Sequence, residues 1–289
     1  MPQIPTNSDI RARWSYTRSS LLRKCPRAFY YDQTREADDA VRKAFSLHAL
    51  VGLSVHTAIA SEISSWASGD QVYPEKAEAC ATRNLEEVWT HRDGMIVEVV
   101  NGMELPDGTY ERMLRATRTL LRTFFRMIWP NFSNQSYVTH ERLDSFDLDG
   151  VIVLVQVDLA TRNGAGDFII SDWKTGLTLD PYLEELQMGT YALWAHVGLG
   201  ENINRILTQV VNLRSGQILR RRPDRGLLGR IRSQIETDVR KTSPPLTVTG
   251  FPPEPAFEKC CGCRFLRICE DGQLVVGERS DFDSLPSQV

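Results

Sequence analysis

The chain has 289 residues and a formal net charge of −3, with 42% hydrophobic and 25% charged residues. This is an ordinary balance for a soluble globular protein, and the length allows one large domain or two small ones. The longest apolar runs, such as residues 151–155, are far too short to cross a bilayer, and the N-terminal MPQIPTNSDIRARW lacks the apolar segment of a secretory signal. We therefore expect a cytoplasmic protein with no membrane partner. The net charge alone neither favours nor excludes nucleic acid.

The first half of the chain carries helical patterns. Residues 14–33 predict a short helix that is interrupted at Cys25-Pro26. Residues 46–68 predict a periodic helix that places Gly52 and His56 on one face. A mostly helical region ending at Pro130 follows. The buried positions predicted for the helix of residues 46–68 are Leu50, Leu53, Ala58, Ile59 and Ile63.

The pattern changes to period two after residue 136. Asp149-Gly150 and Asn163-Gly164 are typical of tight turns between strands, and Ser215-Gly216 marks a later hairpin. The predicted elements are strands at 137–150, 151–163, 167–176 and 205–219, and helices at 181–199 and 226–240.

This order of elements predicts the α/β class, with a central mixed β-sheet flanked by helices, a helical insertion before it and a small cysteine-containing lobe after it. We expect one domain over residues 1–278, followed by a disordered tail at 279–289. The expected parts of the domain are an N-terminal segment (1–47), a helical region (48–135), a sheet core (136–242) and a C-terminal cysteine lobe (243–278).

Two acids and a lysine lie on neighbouring predicted strands. A hairpin at residues 163–166 would bring Asp158 and Asp172 side by side, and Lys174 lies on the same side of its strand as Asp172. Two carboxylates and an imidazole suit Mg²⁺ or Mn²⁺, which can activate water against a phosphodiester, and the carbonyl of Trp173 would be a further ligand. The alternative is a surface ion pair between Asp172 and Lys174, because an acid-x-Lys triplet is common.

The neighbouring segments favour the metal site. GLSVHTAI, VQVD, SDWKTG and QMGTY follow one another in the order found in the PD-(D/E)xK nuclease superfamily, and the chain resembles its RecB-type exonucleases from Trp14 to Cys269. The resemblance implies a restriction-endonuclease-like core in which His56, Asp158 and Asp172 are metal ligands and Lys174 is the catalytic lysine.

The same resemblance assigns supporting residues. Gln187 and Tyr191 match the RecB-type Gln-xxx-Tyr element, whose side chains would contact the site or the DNA backbone. Glu141 matches an acid that precedes the strand pair and has a supporting role. The chain departs from the pattern at Val155, where the family often has glycine.

Six cysteines occur, and four of them crowd into KCCGCRFLRIC at residues 259–269. Such crowding in a cytosolic protein is more typical of metal ligation than of disulfides. Cys260, Cys263 and Cys269, with the remote Cys25, make a four-thiolate set that fits a [4Fe–4S] cluster, and structural zinc is the alternative. Cys261 could replace Cys260, although the C-x2-C spacing favours Cys260.

This spacing resembles that of the iron–sulfur RecB-type nucleases, namely the AddB nuclease domain and the CRISPR-associated exonucleases of spacer acquisition. Both join an N-terminal C-P-x-x-F/Y cysteine, here Cys25, to a C-terminal C-x2-C-x5-C. The resemblance implies a cluster that staples the two ends of the chain across the nuclease core.

The expected function is therefore a metal-dependent DNA exonuclease on single-stranded ends, with a role in CRISPR spacer acquisition or DNA recombination and repair. Arg220, Arg221 and Arg222 offer phosphate contacts, unless they form an ordinary solvated face. The sequence contains no Walker A pattern, so we expect that the chain is not a helicase by itself. That leaves a stand-alone nuclease or one that works with a separate helicase or integrase, with oligomerisation possible. The alternatives are a catalytically degenerate DNA-binding adaptor and a zinc-stapled nuclease of the same fold.

Overall fold

The computed structural model describes residues 12–34, 41, 44–176, 181–243 and 245–280. Residues 281–289 of the expected disordered tail lie outside the described residues, whereas residues 279 and 280 end the last helix. None of the described helices is long and apolar enough to cross a membrane.

Local sequence signals set the beginnings of several helices. Ser15, Ser46 and Asp224 each accept a hydrogen bond from a backbone N–H of the following turn, which satisfies a donor that a helix start leaves free. Pro26 lies in the first turn of its helix, where its missing N–H is harmless. The helices are α1 (Tyr16–Lys24), α2 (Pro26–Gln33), α3 (Leu47–Ala67), α4 (Pro74–Thr90), α5 (Arg92–Met95), α6 (Val97–Val100), α7 (Thr109–Thr123), α8 (Pro181–Leu193), α9 (Arg225–Lys241), α10 (Phe257–Cys260) and α11 (Glu270–Ser280).

The strands form two mixed sheets with the orders β1-β4-β3 and β2-β5-β6-β7-β8. β1 runs parallel to β4 and β6 runs parallel to β7, whereas the other pairs are antiparallel. The predicted α/β class is confirmed, with two mixed sheets in place of a single central one. The strands are β1 (Arg13–Ser15), β2 (Ser136–Thr139), β3 (Leu143–Leu148), β4 (Val151–Gln156), β5 (Leu159–Arg162), β6 (Phe168–Lys174), β7 (Ile206–Asn212) and β8 (Ile218–Arg221).

Two predicted strands are each divided in the structure. The strand expected at 137–150 breaks near Glu141, whose φ of 43° is incompatible with extended backbone. The strand expected at 151–163 breaks at Val157-Asp158, where the chain leaves β4 in one sheet and enters β5 in the other. Asp158 therefore lies at the junction of the two sheets.

Apolar layers cover both faces of the five-stranded sheet, so β6 is buried on both sides. Phe168 and Ile170 pack into one layer with α8 and α9, and Trp173 packs into the other with α3, α4 and α7. This alternation follows from the two-residue period of a strand. In α3 the prediction of a buried Leu53 was wrong, because 46% of this residue is exposed.

A third apolar cluster joins the N-terminal helices to the cysteine lobe. Phe29, Tyr30 and Tyr31 of α2 are buried in it with Phe251 and Phe265. The rings of Phe29 and Phe251 stack with their centroids 5.7 Å apart. The two ends of the chain are therefore held together by aromatic packing.

Candidate active site

The hairpin of β5 and β6 sets the position of the two predicted aspartates. Leu159 pairs with Ser171 in its register, so Asp158 and Asp172, which flank that pair, lie beside each other. The backbone N–H of Trp173 donates to Asp158 Oδ2 at 2.5 Å. Only 7% of Asp158 and 3% of Asp172 are exposed, so both carboxylates are buried.

His56 and Glu141 bring further ligand atoms to Asp158. His56 Nδ1, on α3, lies 3.3 Å from Asp158 Oδ1 and 3.5 Å from Glu141 Oε1. The ligand atoms of these three side chains all lie within 4.8 Å of one another. The backbone of Glu141 has a positive φ and its N–H donates to the carbonyl of Val157 at 2.8 Å. Such strained backbone in a non-glycine residue is typical of functional sites.

Lys174 and Asp172 are held by the glutamine of α8. Lys174 Nζ lies 2.7 Å from Asp172 Oδ2 and donates to Gln187 Oε1 at 2.5 Å. Gln187 Nε2 donates to Asp172 Oδ1 at 2.8 Å and to the hydroxyl of Tyr191 at 3.0 Å. That hydroxyl in turn donates to the carbonyl of Gln156 at 2.7 Å. The four predicted residues Asp172, Lys174, Gln187 and Tyr191 are thus joined in one network of hydrogen bonds and an ion pair.

The structure adds two residues that the sequence did not single out. Gln156 Nε2 donates to Glu141 Oε2 at 2.8 Å, and Thr17 at the start of α1 reaches the same cleft. Gln156 stood in the VQVD segment without an assigned role. No sequence pattern indicated that Thr17 belongs to the site, because its position depends on the pairing of β1 with the distant β4. The cleft has a volume of about 410 Å³ and is lined by Thr17, His56, Glu141, Gln156, Asp158, Asp172, Trp173, Lys174, Thr175, Gly176, Gln187 and Tyr191.

Burial and mutual repulsion shift the ionisation of these groups. Burial raises the pKa of Asp158 to about 6, with Asp172 adding to the rise and His56 opposing it. Burial lowers the pKa of His56, but Asp158 and Glu141 outweigh it, so the pKa of His56 is well above its usual range. Burial likewise opposes the charge of Lys174, but the carboxylate of Asp172 raises the pKa of this lysine overall. The cleft therefore concentrates negative charge that attracts cations.

The donor set fits a divalent cation. Three carboxylates and one imidazole converge on the cleft, which is the oxygen-rich chemistry that Mg²⁺ or Mn²⁺ prefers. Asp172 Oδ2 is buried and, apart from the ion pair with Lys174, receives no directed hydrogen bond from the described residues. The side chain of Trp173 packs on the other face against Phe124 and Phe132, so this residue borders the cleft through its backbone.

The three predicted DNA-binding arginines lie apart from this cleft and contact other side chains. Arg220 Nε donates to Gln209 Oε1 at 3.2 Å. Arg221 forms an ion pair with Glu185 at 2.5 Å, and Arg222 forms one with Asp167 at 2.8 Å. Two of the three charges are thereby compensated within the chain, and their role in DNA binding stays a prediction.

The four predicted cluster cysteines, Cys25, Cys260, Cys263 and Cys269, line one cavity of about 190 Å³. A Cβ on the adjoining Gly272 would lie 3.5 Å from the sulfur of Cys269 and 3.6 Å from that of Cys260. These two sulfurs are thus no more than about 7 Å apart. Neither Cys261 nor Cys80 is among the described residues that line the cavity. Burial raises the pKa of the Cys263 and Cys269 thiols.

The spacing of the sulfurs differs from that of a bound zinc ion. In the described part of the chain, no three thiol sulfurs lie within 4.8 Å of one another. Tetrahedral zinc, with Zn–S distances of about 2.3 Å, holds its sulfurs roughly 4 Å apart. Among the described residues the sulfurs therefore do not form a compact zinc-ligand set, and the [4Fe–4S] cluster and structural zinc both stay predictions.

Mixed sheets between helices, with two acids and a lysine at the ends of adjacent strands, are consistent with a restriction-endonuclease-like core. A family model described as the PD-(D/E)XK nuclease superfamily matches residues 13–270. The chain belongs to this superfamily, which indicates metal-dependent cleavage of nucleic acid. No curated protein matches the chain.

Proposed function

We propose that the protein is a metal-dependent DNA exonuclease that acts on single-stranded ends and carries a structural [4Fe–4S] cluster. The observation that carries the proposal is the convergence of His56, Glu141 and Asp158 beside the pair of Asp172 and Lys174. A catalytically degenerate adaptor would have lost one or more of these groups, and the complete set argues against that alternative.

His56, Asp158 and Asp172 would hold Mg²⁺ or Mn²⁺, with Glu141 and the carbonyl of Trp173 as further ligands. When bound, such an ion polarises the phosphodiester and lowers the pKa of a coordinated water. The negative charge that the three carboxylates concentrate in the cleft needs a cation of this kind, because a polyanionic substrate would otherwise be repelled.

Burial opposes the charge of Lys174, but the carboxylate of Asp172 raises the pKa of this lysine overall, which favours its ammonium form. That group would stabilise a phosphate oxygen or orient the attacking water as a donor. Gln187 holds the ammonium through its carbonyl and Asp172 through its amide. Gln187 also donates a hydrogen bond to the hydroxyl of Tyr191. Lys174 and Asp172 are therefore both positioned by the same glutamine.

The cysteine cavity would hold the [4Fe–4S] cluster through Cys25, Cys260, Cys263 and Cys269. Cys25 lies between α1 and α2, whereas the other three belong to the C-terminal lobe. Ligation would therefore tie the two ends of the chain together, adding to the aromatic packing of Phe29 and Phe251. This structural role needs no redox change.

The resemblance of the cysteine spacing to iron–sulfur RecB-type nucleases supports a role in processing DNA ends. CRISPR spacer acquisition and DNA recombination or repair are the processes that use such trimming. An integrase or a helicase from a separate chain would be the partner in these processes.

Digestion of end-labelled and circular DNA tests the activity. The purified protein with Mg²⁺ or Mn²⁺ is expected to release nucleotides stepwise from linear single strands, with labels at each end giving the polarity. Circular single strands should stay intact. Cleavage of circles would establish an endonuclease instead, and no cleavage of any DNA under these conditions would favour the adaptor.

A further inference from the structure

We propose that a second cleft, lined by Arg112, Arg115 and Arg214, binds the phosphate backbone of the DNA strand where it continues beyond the active site. This inference rests on the proposed DNA-cleaving function and names the part of the molecule that would hold the strand. We expect this cleft, and not Arg220, Arg221 and Arg222, to make the main phosphate contacts.

The cleft lies between α7 and the turn that joins β7 to β8. It has a volume of about 460 Å³, and no acidic residue is among the described residues that line it. Its small or neutral lining residues leave room for a phosphate group to reach the guanidinium groups. The lining residues are Arg112, Arg115, Ala116, Thr119, Leu120 and Arg214.

No described residue compensates the positive charges of this cleft. Arg112 donates to the carbonyl of Asp107 at 2.8 Å and to the hydroxyl of Thr109 at 2.6 Å, which are both neutral acceptors. Arg214 Nε donates to another neutral acceptor, the carbonyl of Thr175, at 2.8 Å. Arg115 is exposed on the helix surface. None of the ion pairs among the described residues includes Arg112, Arg115 or Arg214.

Arginines elsewhere on the molecule are arranged differently. On α7 itself, one turn away, Arg118 forms an ion pair with Glu78 at 2.6 Å. Arg221 shares Glu185 with Arg230 near the far edge of the sheet. Guanidinium groups that carboxylates already hold have less to gain from a phosphate, so the uncompensated group is the better phosphate site.

The arginine cleft adjoins the active site through the end of β6. The N–H of Leu213 donates to the carbonyl of Lys174 at 2.9 Å, and Arg214 holds the carbonyl of Thr175. Lys174 and Thr175 both line the active-site cleft. A strand whose scissile phosphate lies at Lys174 therefore has its neighbouring phosphates within the field of Arg214.

The exposed face of α7 extends the positive surface away from the active site. Arg115 and Arg122 lie seven residues apart on this face, which corresponds to about 10 Å along the helix axis, and both are exposed. The arrangement suits a backbone that runs along the helix and needs contacts at several phosphates, without reading bases.

Salt-dependent binding of DNA to the full-length chain tests the inference. Fluorescence anisotropy with a labelled thymidine strand of about 20 nucleotides would be measured in the Asp172→Asn background, so that cleavage does not interfere. Arg115→Gln combined with Arg214→Gln is expected to weaken binding about tenfold at low salt and to lower the slope of log Kd against log salt by roughly 0.7 for each lost contact.

Matched variants separate a binding role from a structural one. Arg83→Gln removes an exposed arginine of α4 and should change neither affinity nor slope. Arg214→Lys should restore part of the slope, because the charge is kept while the contact of Nε with Thr175 is lost. An unchanged slope in the double variant would overturn the inference, and so would an equal loss in Arg83→Gln.

Two further measurements distinguish this inference from the proposed function. In the active protein, Arg115→Gln should raise KM for the same strand more than it lowers kcat. If the wild-type chain binds DNA with the expected slope but cleaves none, the proposed function fails and the arginine site stands. If the wild-type chain cleaves DNA and the slope is unaffected by the arginines, only the inference fails. Stronger competition by RNA than by DNA would also overturn it.

Discussion

The active-site cleft and the cysteine cavity are two sets of candidate metal ligands of opposite chemical character in one chain. In the cleft, charged oxygen and nitrogen donors converge within 4.8 Å and hold each other through hydrogen bonds. In the cavity, four thiols line a space of about 190 Å³, and burial raises the pKa of two of them, Cys263 and Cys269. The sheet thus preorganises the first set, whereas on the proposed function the second set would acquire a defined geometry only when it binds its metal.

Two helices connect these regions. α1 carries Thr17 at the active-site cleft and ends beside Cys25, and both Leu21 and Lys24 line the cysteine cavity. α3 begins at that cavity with Ser46 and places His56 in the cleft two to three turns later. Disorder in the cysteine cavity should therefore reach the active site through these helices.

The largest effect is expected from the pair at the end of β6. Asp172→Ala and Lys174→Ala should each reduce DNA hydrolysis by about 1000-fold or more. In the proposed mechanism, the first removes a carboxylate that would hold the cation and the second removes the charge that would face the phosphate. End-labelled digestion in Mn²⁺ measures the rates, and circular dichroism checks that the fold persists. Asp144→Asn, outside the cleft lining, is the matched control. Undiminished metal-dependent activity in both alanine variants would sink the site assignment.

Removal of a cavity thiol should lower the stability of the whole fold. Its effect on the active site should be indirect. Cys25→Ser and Cys263→Ser are expected to abolish absorbance near about 400 nm in anaerobic preparations and to lower the free energy of unfolding by on the order of 3 kcal/mol. Cys80→Ser and Cys261→Ser should keep the absorbance. Stoichiometric zinc with no such absorbance in the wild type would replace the iron–sulfur proposal by the zinc-stapled nuclease.

An intermediate effect is expected where the support of the active site is removed. Gln187→Leu leaves the ligands in place but frees both Lys174 and Asp172, so kcat should fall about 10- to 100-fold. Gln234→Leu removes a comparable glutamine from α9, outside the cleft, and should leave kcat near the wild-type value. Equal rates for the two variants would show that the glutamine network has no positioning role.

The smallest effect concerns the helix that connects the two regions. Glu98 accepts from the N–H of Leu47 at the start of α3, and its pKa is raised by burial. A carboxyl group whose pKa is raised in the folded state makes the protein less stable as the pH rises from the pKa of the unfolded state through the pKa of the folded state. Glu98→Gln should therefore gain stability relative to the wild type between pH of about 4 and 7, by less than about 1 kcal/mol after solvent screening.

Urea unfolding at both pH values measures this difference. A stability gain of Glu98→Gln that is the same at low and at neutral pH would contradict a titrating carboxylate and would point to a change in packing.

Features that depend on residues close together in the chain follow from the sequence pattern. Ser15 and Ser46 set the beginnings of α1 and α3, and the turn at Asn163-Gly164 set the hairpin that brings Asp158 and Asp172 together. The spacing of Gln187 and Tyr191 placed both on one face of α8. In each case the interacting groups are only a few residues or one hairpin apart, so local conformation is sufficient to bring them together.

The tertiary structure alone decided which distant groups meet. It divided the strands into two sheets and brought Glu141, predicted only as a supporting acid, into contact with His56. It paired Arg221 with Glu185 and Arg222 with Asp167. It also brought α7 against the turn that carries Arg214. These contacts join segments that are tens of residues apart, and no local pattern encodes them, because their geometry follows from how the sheets and helices bury their apolar faces.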